Sequence, residues 1–178
     1  MRRLFALILI GILAFAIPAA ALDLEQRSFY GVGELVLPMG DFGDFAGTGF
    51  GGRVGVTVPH SDQLNLRAEI GYLMFGGKDF GHYDFSYSMI PIMFLGEYHH
   101  ELDSPMYFLG GLGFTRFAFD AEYTGDDGDF FSDYDDSSME LTLCFGGGYS
   151  VNEQFIIEGR FNVISDANSI RLLGVYHF

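Results

Sequence analysis

The chain has 178 residues, 25 of them glycine, with 17% aromatic residues, one cysteine, no tryptophan and a formal net charge of −15. That length suits one domain. A balance this acidic excludes a nucleic-acid partner, because nothing neutralises phosphates. The single Cys144 excludes an internal disulfide.

In chain order, Arg2 and Arg3 come first, then an uninterrupted apolar run from Leu4 to Ile17, then Pro18 and three alanines ending at Ala21. A positive start, an apolar core and a small-residue site are the parts of a secretory signal. The run is shorter than the roughly 20 residues a membrane-spanning helix needs. Residues 1–21 are therefore expected to be a cleaved signal peptide and 22–178 the folded domain. No cysteine lies near the site, which argues against a lipoprotein. The domain keeps seven of the nine basic residues and all 24 acids, a formal charge of −17.

Beyond the signal, helical periodicity is nearly absent and alternation dominates. Eight segments read as strands, at 28–37, 49–58, 63–75, 85–99, 105–123, 138–151, 153–164 and 168–178. Most exceed the 5–6 residues of a usual strand, and about 9–11 tilted residues cross a bilayer. Long connections ("PMGDFGDFAGT", "GGKDFGHYD", "TGDDGDFFSDYDDSS") alternate with short ones ("PHSD", "HELDS", the turn at Asn152), with "SDAN" closing the long-loop side. Long loops at one end and short turns at the other mark an outer-membrane barrel. No apolar run after the signal reaches the length of a spanning helix. The predicted fold is all-β, an eight-stranded antiparallel up-and-down transmembrane barrel with both termini on the periplasmic side.

The charges fall on one phase of the strands. Arg53, Arg67, Arg116, Arg160 and Arg171 share it with Glu34, Glu69, Glu97, Glu140 and Glu158. Charges alone fit a soluble barrel as well as a membrane one. The apolar phase decides, because it carries large aromatics near strand ends, among them Tyr72, Tyr98, Phe119, Tyr149, Phe155 and Tyr176, which suit interfacial girdles. An arginine on the lipid face at mid-membrane costs about 2–4 kcal/mol. Several would approach the stability of a whole domain, about 5–15 kcal/mol. The arginines are therefore expected inside, paired with the glutamates as an interior charge network. Strand five is read with Phe108, Leu112 and Phe114 inward beside Arg116. Pro91 predicts a bulge or local irregularity in strand four.

"IPIMFLGEYHH", the following "PMYFLGGLGFTRF" and the terminal "GVYHF" resemble the small outer-membrane β-barrel superfamily, the OmpA/OmpX-like barrels, over the whole domain. The first two are similar to that family's central hairpin. The last is similar to its C-terminal signature, an aromatic final residue with apolar residues at alternate positions. The resemblance implies that Tyr176 and Phe178 are read by the barrel-assembly machinery. It also implies that the chain ends with the barrel and lacks the peptidoglycan-binding domain of full-length OmpA-type proteins.

The candidate chemistry is sparse. Gly47 to Gly52 matches G-x-G-x-x-G, but a loop precedes it and a strand follows it, the reverse of a dinucleotide site. Asp126, Asp127, Asp129 and Asp133, with Asp135 and Asp136, are weak candidates for calcium or magnesium through carboxylate oxygens. Their spacing fits no EF-hand, and a solvated acidic loop is the preferred reading. A lipid A deacylase of the family uses a histidine, a serine and an acid. "ISDANS" is similar to its serine stretch in outline, yet no histidine precedes Ser165 at a useful spacing. An eight-stranded barrel leaves an interior that side chains fill. The expectations are an outer-membrane protein with no cofactor and no enzyme activity, a monomer in outer-membrane lipid, acting structurally or by surface interaction through acidic loops. The alternatives are a porin-like small-solute or lipid-binding channel and, third, a lipid A-modifying enzyme.

Overall fold

A computed structural model describes residues 26–77, 83–123, 134–165 and 167–178. It contains β1 (Ser28–Pro38), a short helix α1 (Asp41–Phe45), β2 (Ala46–Ser61), β3 (Leu64–Gly77), β4 (Tyr83–Tyr98), β5 (Met106–Tyr123), β6 (Tyr134–Ser150), β7 (Phe155–Ile164) and β8 (Ser169–His177). The strands form a closed barrel in sequence order, and β8 returns to pair antiparallel with β1. All eight expected strands are present. β2 and β6 each begin earlier than the alternation suggested.

Closure answers a physical demand. A bilayer offers no water to an unpaired backbone group, so a sheet that crosses it must have no edge. The last residue serves this end, since the amide of Phe178 donates to the carbonyl of Phe29 at 3.0 Å and extends the seam to the chain's end.

Burial has a period of two and the polar phase is inside. In β7, Ile156, Glu158, Arg160, Asn162 and Ile164 are buried while Phe155, Ile157 and Gly159 are exposed. In β8, Ser169, Arg171, Leu173 and Val175 are buried, and Ile170, Leu172 and Tyr176 face outward. Phe29, Tyr98, Phe108, Tyr149, Phe155 and Tyr176 form an aromatic belt around the outer wall at the short-turn end, where such barrels meet the interface. The side chain of Phe119 lies outside the described residues.

The lumen is narrow, so large inward side chains require glycine opposite them. A Cβ at Gly55 would collide with the ring of Tyr30, one at Gly148 with the ring of Tyr107, and one at Gly71 with the stem of Arg53. The lumen holds two apolar clusters. Val32, Leu95, Leu109 and Val175 pack with Tyr30 and Tyr107 toward the short turns. Val36, Ala46, Leu73, Phe75 and Met89 pack toward the long loops. The second cluster is capped by α1, in a stretch expected to be loop. Phe42 packs edge-on to Phe75 at 5.3 Å, Tyr87 at 6.1 Å and Phe117 at 6.4 Å between ring centroids.

One expectation is corrected, in strand five, and the irregularity expected at Pro91 is present as a gap in the ladder. Strand five has the opposite phase to the one read from its arginine. Phe108, Phe114 and Arg116 are exposed on the outer wall with Leu112 half-buried among them, while Tyr107, Leu109, Gly113 and Thr115 are buried inward. Glycine decides it, because Gly111 and Gly113 must face the lumen to admit Leu95 and Met93 from β4. At Pro91 the β3–β4 ladder passes from Ile70↔Ile92 to Leu73↔Met89 with two pairs missing and no change of register. Proline lacks a donor, so the ladder is interrupted without slipping. Pro91 itself still faces Thr115 on β5. The register shifts lie in β2–β3, between Ala46 and Gly49 and between Pro59 and Ser61.

Gly113→Ala is expected to cost about 1–3 kcal/mol, the usual penalty of overpacking, because its Cβ would strike the Ile92 carbonyl and Met93. Gly159→Ala, with nothing within 4 Å of its Cβ, is expected to be silent. The urea midpoint of the heat-modifiable gel band measures both.

Candidate functional site

The middle of the lumen is a charge network. Arg67 on β3 donates to Glu158 on β7 at 2.6 Å, Glu97 on β4 at 3.0 Å and its own strand's Glu69 at 3.0 Å. Arg160 on β7 grips Glu69 with both terminal nitrogens, at 2.7 and 2.8 Å, and reaches Glu158 through Nε at 2.7 Å. Arg53 on β2 forks onto Glu34 on β1 through Nε and Nη2 and approaches Glu69 at 3.5 Å. Arg171 on β8 reaches Glu34 at 3.4 Å and Ser169 at 3.2 Å. Alternation within each strand puts these side chains on the lumen face, and the antiparallel register brings them to one level.

Two tyrosines complete the set. The Tyr30 hydroxyl donates to Glu69 at 2.8 Å and accepts from Arg67 Nε at 3.0 Å, and the guanidinium of Arg67 stands 4.5 Å from the Tyr30 ring centroid. The Tyr107 hydroxyl donates to Glu158. At the short-turn mouth, Asn65 and His99 each meet Glu97 Oε1 at 2.8 Å. His99 lies over Tyr107 and His177 over Tyr30, at 5.3 and 5.2 Å between centroids.

Eight of the ten predicted charges therefore lie together, namely Glu34, Arg53, Arg67, Glu69, Glu97, Glu158, Arg160 and Arg171. Two do not. Arg116 is on the outer wall, for the reason of phase given above. Glu140 keeps the inward phase but is only half-buried, beyond the Thr115–Thr142 hydroxyl pair, and makes no ion pair among the described residues. Sequence reasoning missed Tyr30, although it lies four residues before Glu34 and shares its face. Tyr107 was hidden by the inverted phase of strand five.

Taking charges from water costs several kcal/mol per ion unless geometry and additional hydrogen bonds repay it. Here Glu34, Glu69, Glu97 and Glu158 each accept at least two donors, and four arginines balance four glutamates. The side chains of Arg67, Glu69, Glu158 and Arg160 are fully buried. The arrangement blocks the lumen and leaves none of these carboxylates free to act as a base. A shallow groove of about 470 Å3 lies instead on the outer wall, over Gly33, Leu35, Phe50, Ile157, Leu172 and Gly174.

The sequence matches the family described as "Outer membrane protein beta-barrel domain" over residues 7–172. The chain belongs to this family. As an outer membrane protein barrel, it sits in the outer membrane with lipid against its apolar wall. No curated protein matches the sequence. Among solved structures it is similar to Ail, the attachment invasion locus protein of Yersinia pestis, at 12% identity and a TM-score of 0.62, covering 85% of this chain and 97% of that one. It is also similar to Neisserial surface protein A, at 16% identity and 0.56, covering 85% and 95%. The N-terminal β-barrel domain of Pseudomonas aeruginosa OprF matches at 12% identity and 0.56, covering 85% and 97%. Identities this low speak for the fold alone.

The metal candidates Asp126, Asp127, Asp129 and Asp133 lie outside the described residues. Among the described residues, no group of three His, Cys, Asp or Glu is placed to hold a metal ion.

Arg160→Met is expected to cost about 3–5 kcal/mol, because it leaves four buried glutamates with three arginines and so one uncompensated buried charge. Arg116→Gln is expected to change stability by no more than about 0.5 kcal/mol, as exposed substitutions do. Urea unfolding in lipid vesicles, followed by tyrosine fluorescence, compares the two.

Proposed function

We propose that the protein is a non-conducting outer-membrane barrel that acts at its loop end, as a structural and surface-interaction protein. The filled lumen carries this reading. The charge network with the apolar cluster interleaved among it, the second apolar cluster on the loop side and the Phe42 cap leave the outer wall and the loops as the working surfaces. The proposal includes export through a signal at 1–21, assembly through the C-terminal Tyr176 and Phe178, and a monomeric barrel without cofactor.

The loop end is strongly acidic. It carries Asp41 and Asp44 after β1, Asp79 after β3, and six aspartates between Tyr123 and Ser138, against the single basic residue Lys78. Charge complementarity selects a cationic partner, a basic protein surface or divalent ions bridging to anionic lipid. Ail has been crystallised with the heparin analogue sucrose octasulfate, a polyanion that this loop end would repel. A lipid A-modifying activity finds little support. Ser165 stands at the loop end between β7 and β8, whereas the described histidines His60, His99, His100 and His177 stand at the opposite end.

Planar-bilayer recording is expected to show no steady conductance, and sustained ion-selective openings would favour the channel reading. Cells displaying the protein are expected to bind polylysine-coated beads and not sucrose octasulfate. Asp126, Asp127, Asp129 and Asp133 changed together to Asn should weaken the bead binding. Deleting Phe178 should lower assembled protein in cells several-fold.

A further inference from the structure

Arg116 is the informative exception on the outer wall. Of the described arginines, Arg53, Arg67, Arg160 and Arg171 face the lumen and Arg27 precedes β1 at the short-turn end. Arg116 alone stands exposed on the strand surface. It faces Ile90 on β4 and Met139 on β6. On the side of the short turns its outward neighbours are Phe114, Ile92 and Leu141, all exposed. On the loop side they are Ala118, Ser88 and Ser137. No carboxylate occupies any of these positions. Along β5 the next acid in sequence is Asp120, paired in register with Asp135, four residues and about 13 Å of strand away.

The height of Arg116 fixes its surroundings. Ten residues of β5 separate it from Met106 at the short-turn end, a rise of about 25 Å for a strand tilted by about 40°. The apolar band of such barrels is also about 25 Å tall. Arg116 thus marks the level at which the wall changes from apolar to hydroxyl-bearing, the depth of the outer-leaflet headgroups. A guanidinium there has apolar wall beneath it for acyl chains, the serines of the next step along β4 and β6 on its loop side and, among the described residues, no carboxylate at a neighbouring outward position. Its fork matches a phosphate bidentately.

We propose that Arg116, flanked by Ser88 and Ser137, is a docking site for one phosphorylated, acylated lipid of the outer leaflet. The rest of the wall and the acidic loops offer such an anion no other described cation, so this is the point at which a phospholipid-type headgroup attaches to the barrel.

The test uses the assembled protein extracted from outer membranes, wild type and Arg116→Gln, each shown to be folded by its gel shift on boiling. Both are stripped of lipid and offered lipid A or its dephosphorylated form, and the bound lipid is counted by native mass spectrometry. Wild type should retain one phosphorylated lipid. Arg116→Gln should retain about ten-fold less, the scale of one charge-assisted contact. Equal retention by the variant, or equal retention of the dephosphorylated lipid, overturns the proposal. Uptake of inorganic phosphate by wild type with no retention of lipid A reassigns the site to free phosphate and overturns it as well.

Discussion

The structure depends on one conflict, between charged side chains and a barrel with lipid outside and little room inside. An eight-stranded barrel closes around a space that side chains must fill, and a charge on the lipid face is expensive away from the interfaces. The lumen is the only place for Arg53, Arg67, Arg160 and Arg171, and its width forces each to meet a carboxylate. From this come the inward glycines, which give the rings of Tyr30 and Tyr107 and the stem of Arg53 their space. From it also comes the fixed register, since a slip of one residue would move a whole set of charges into lipid.

The network is distributed unevenly around the barrel. β1, β2, β3, β4, β7 and β8 each contribute an ionised side chain, and β5 contributes Tyr107. β6 supplies space instead. Gly146 lies against the backbone of Gly159 and Arg160, and Gly148 against Tyr107. The apolar side chains packed among the ion pairs and on their loop side exclude water from them, which strengthens each pair and raises the cost of breaking one. In the proposed reading, the same packing that holds the charges together keeps the lumen from serving as a pore.

Most of this was legible in the sequence because lipid and lumen impose opposite demands on successive residues. The alternation of Glu158, Arg160 and Asn162 with Ile157, Gly159 and Phe161 can be read only one way in a membrane. Strand five is the exception, because its arginine and its two glycines point to opposite phases. Phe108, Leu112 and Phe114 looked like lumen filling once Arg116 was placed inside. Gly111 and Gly113 were the stronger signal, since a side chain at either would strike the backbone of β4. The helix α1 is five residues long, too short to show a period, and its role depends on Phe42 finding Phe75, Tyr87 and Phe117 from three different strands. Tyr30 has a readable phase but no charge to single it out.

Inside and outside follow different electrostatic rules in this molecule. The lumen balances four arginines against four glutamates and presents almost no field beyond itself. The formal charge of −15 is therefore expressed at the surface, largely in the aspartates of the loop end. A neutral, filled interior and an acidic rim divide the labour. The interior specifies the fold, and in the proposed reading the rim selects what approaches, repelling polyanions and favouring cations at a distance that shrinks with salt. Arg116 breaks the pattern at one depth only. An exposed arginine at mid-wall would oppose insertion, whereas one at the headgroup level aligns the barrel with the phosphates of the leaflet around it. The residue that the alternation misplaced thus has a place in the same physical scheme, as the wall's one described cation where the surrounding lipid is itself charged.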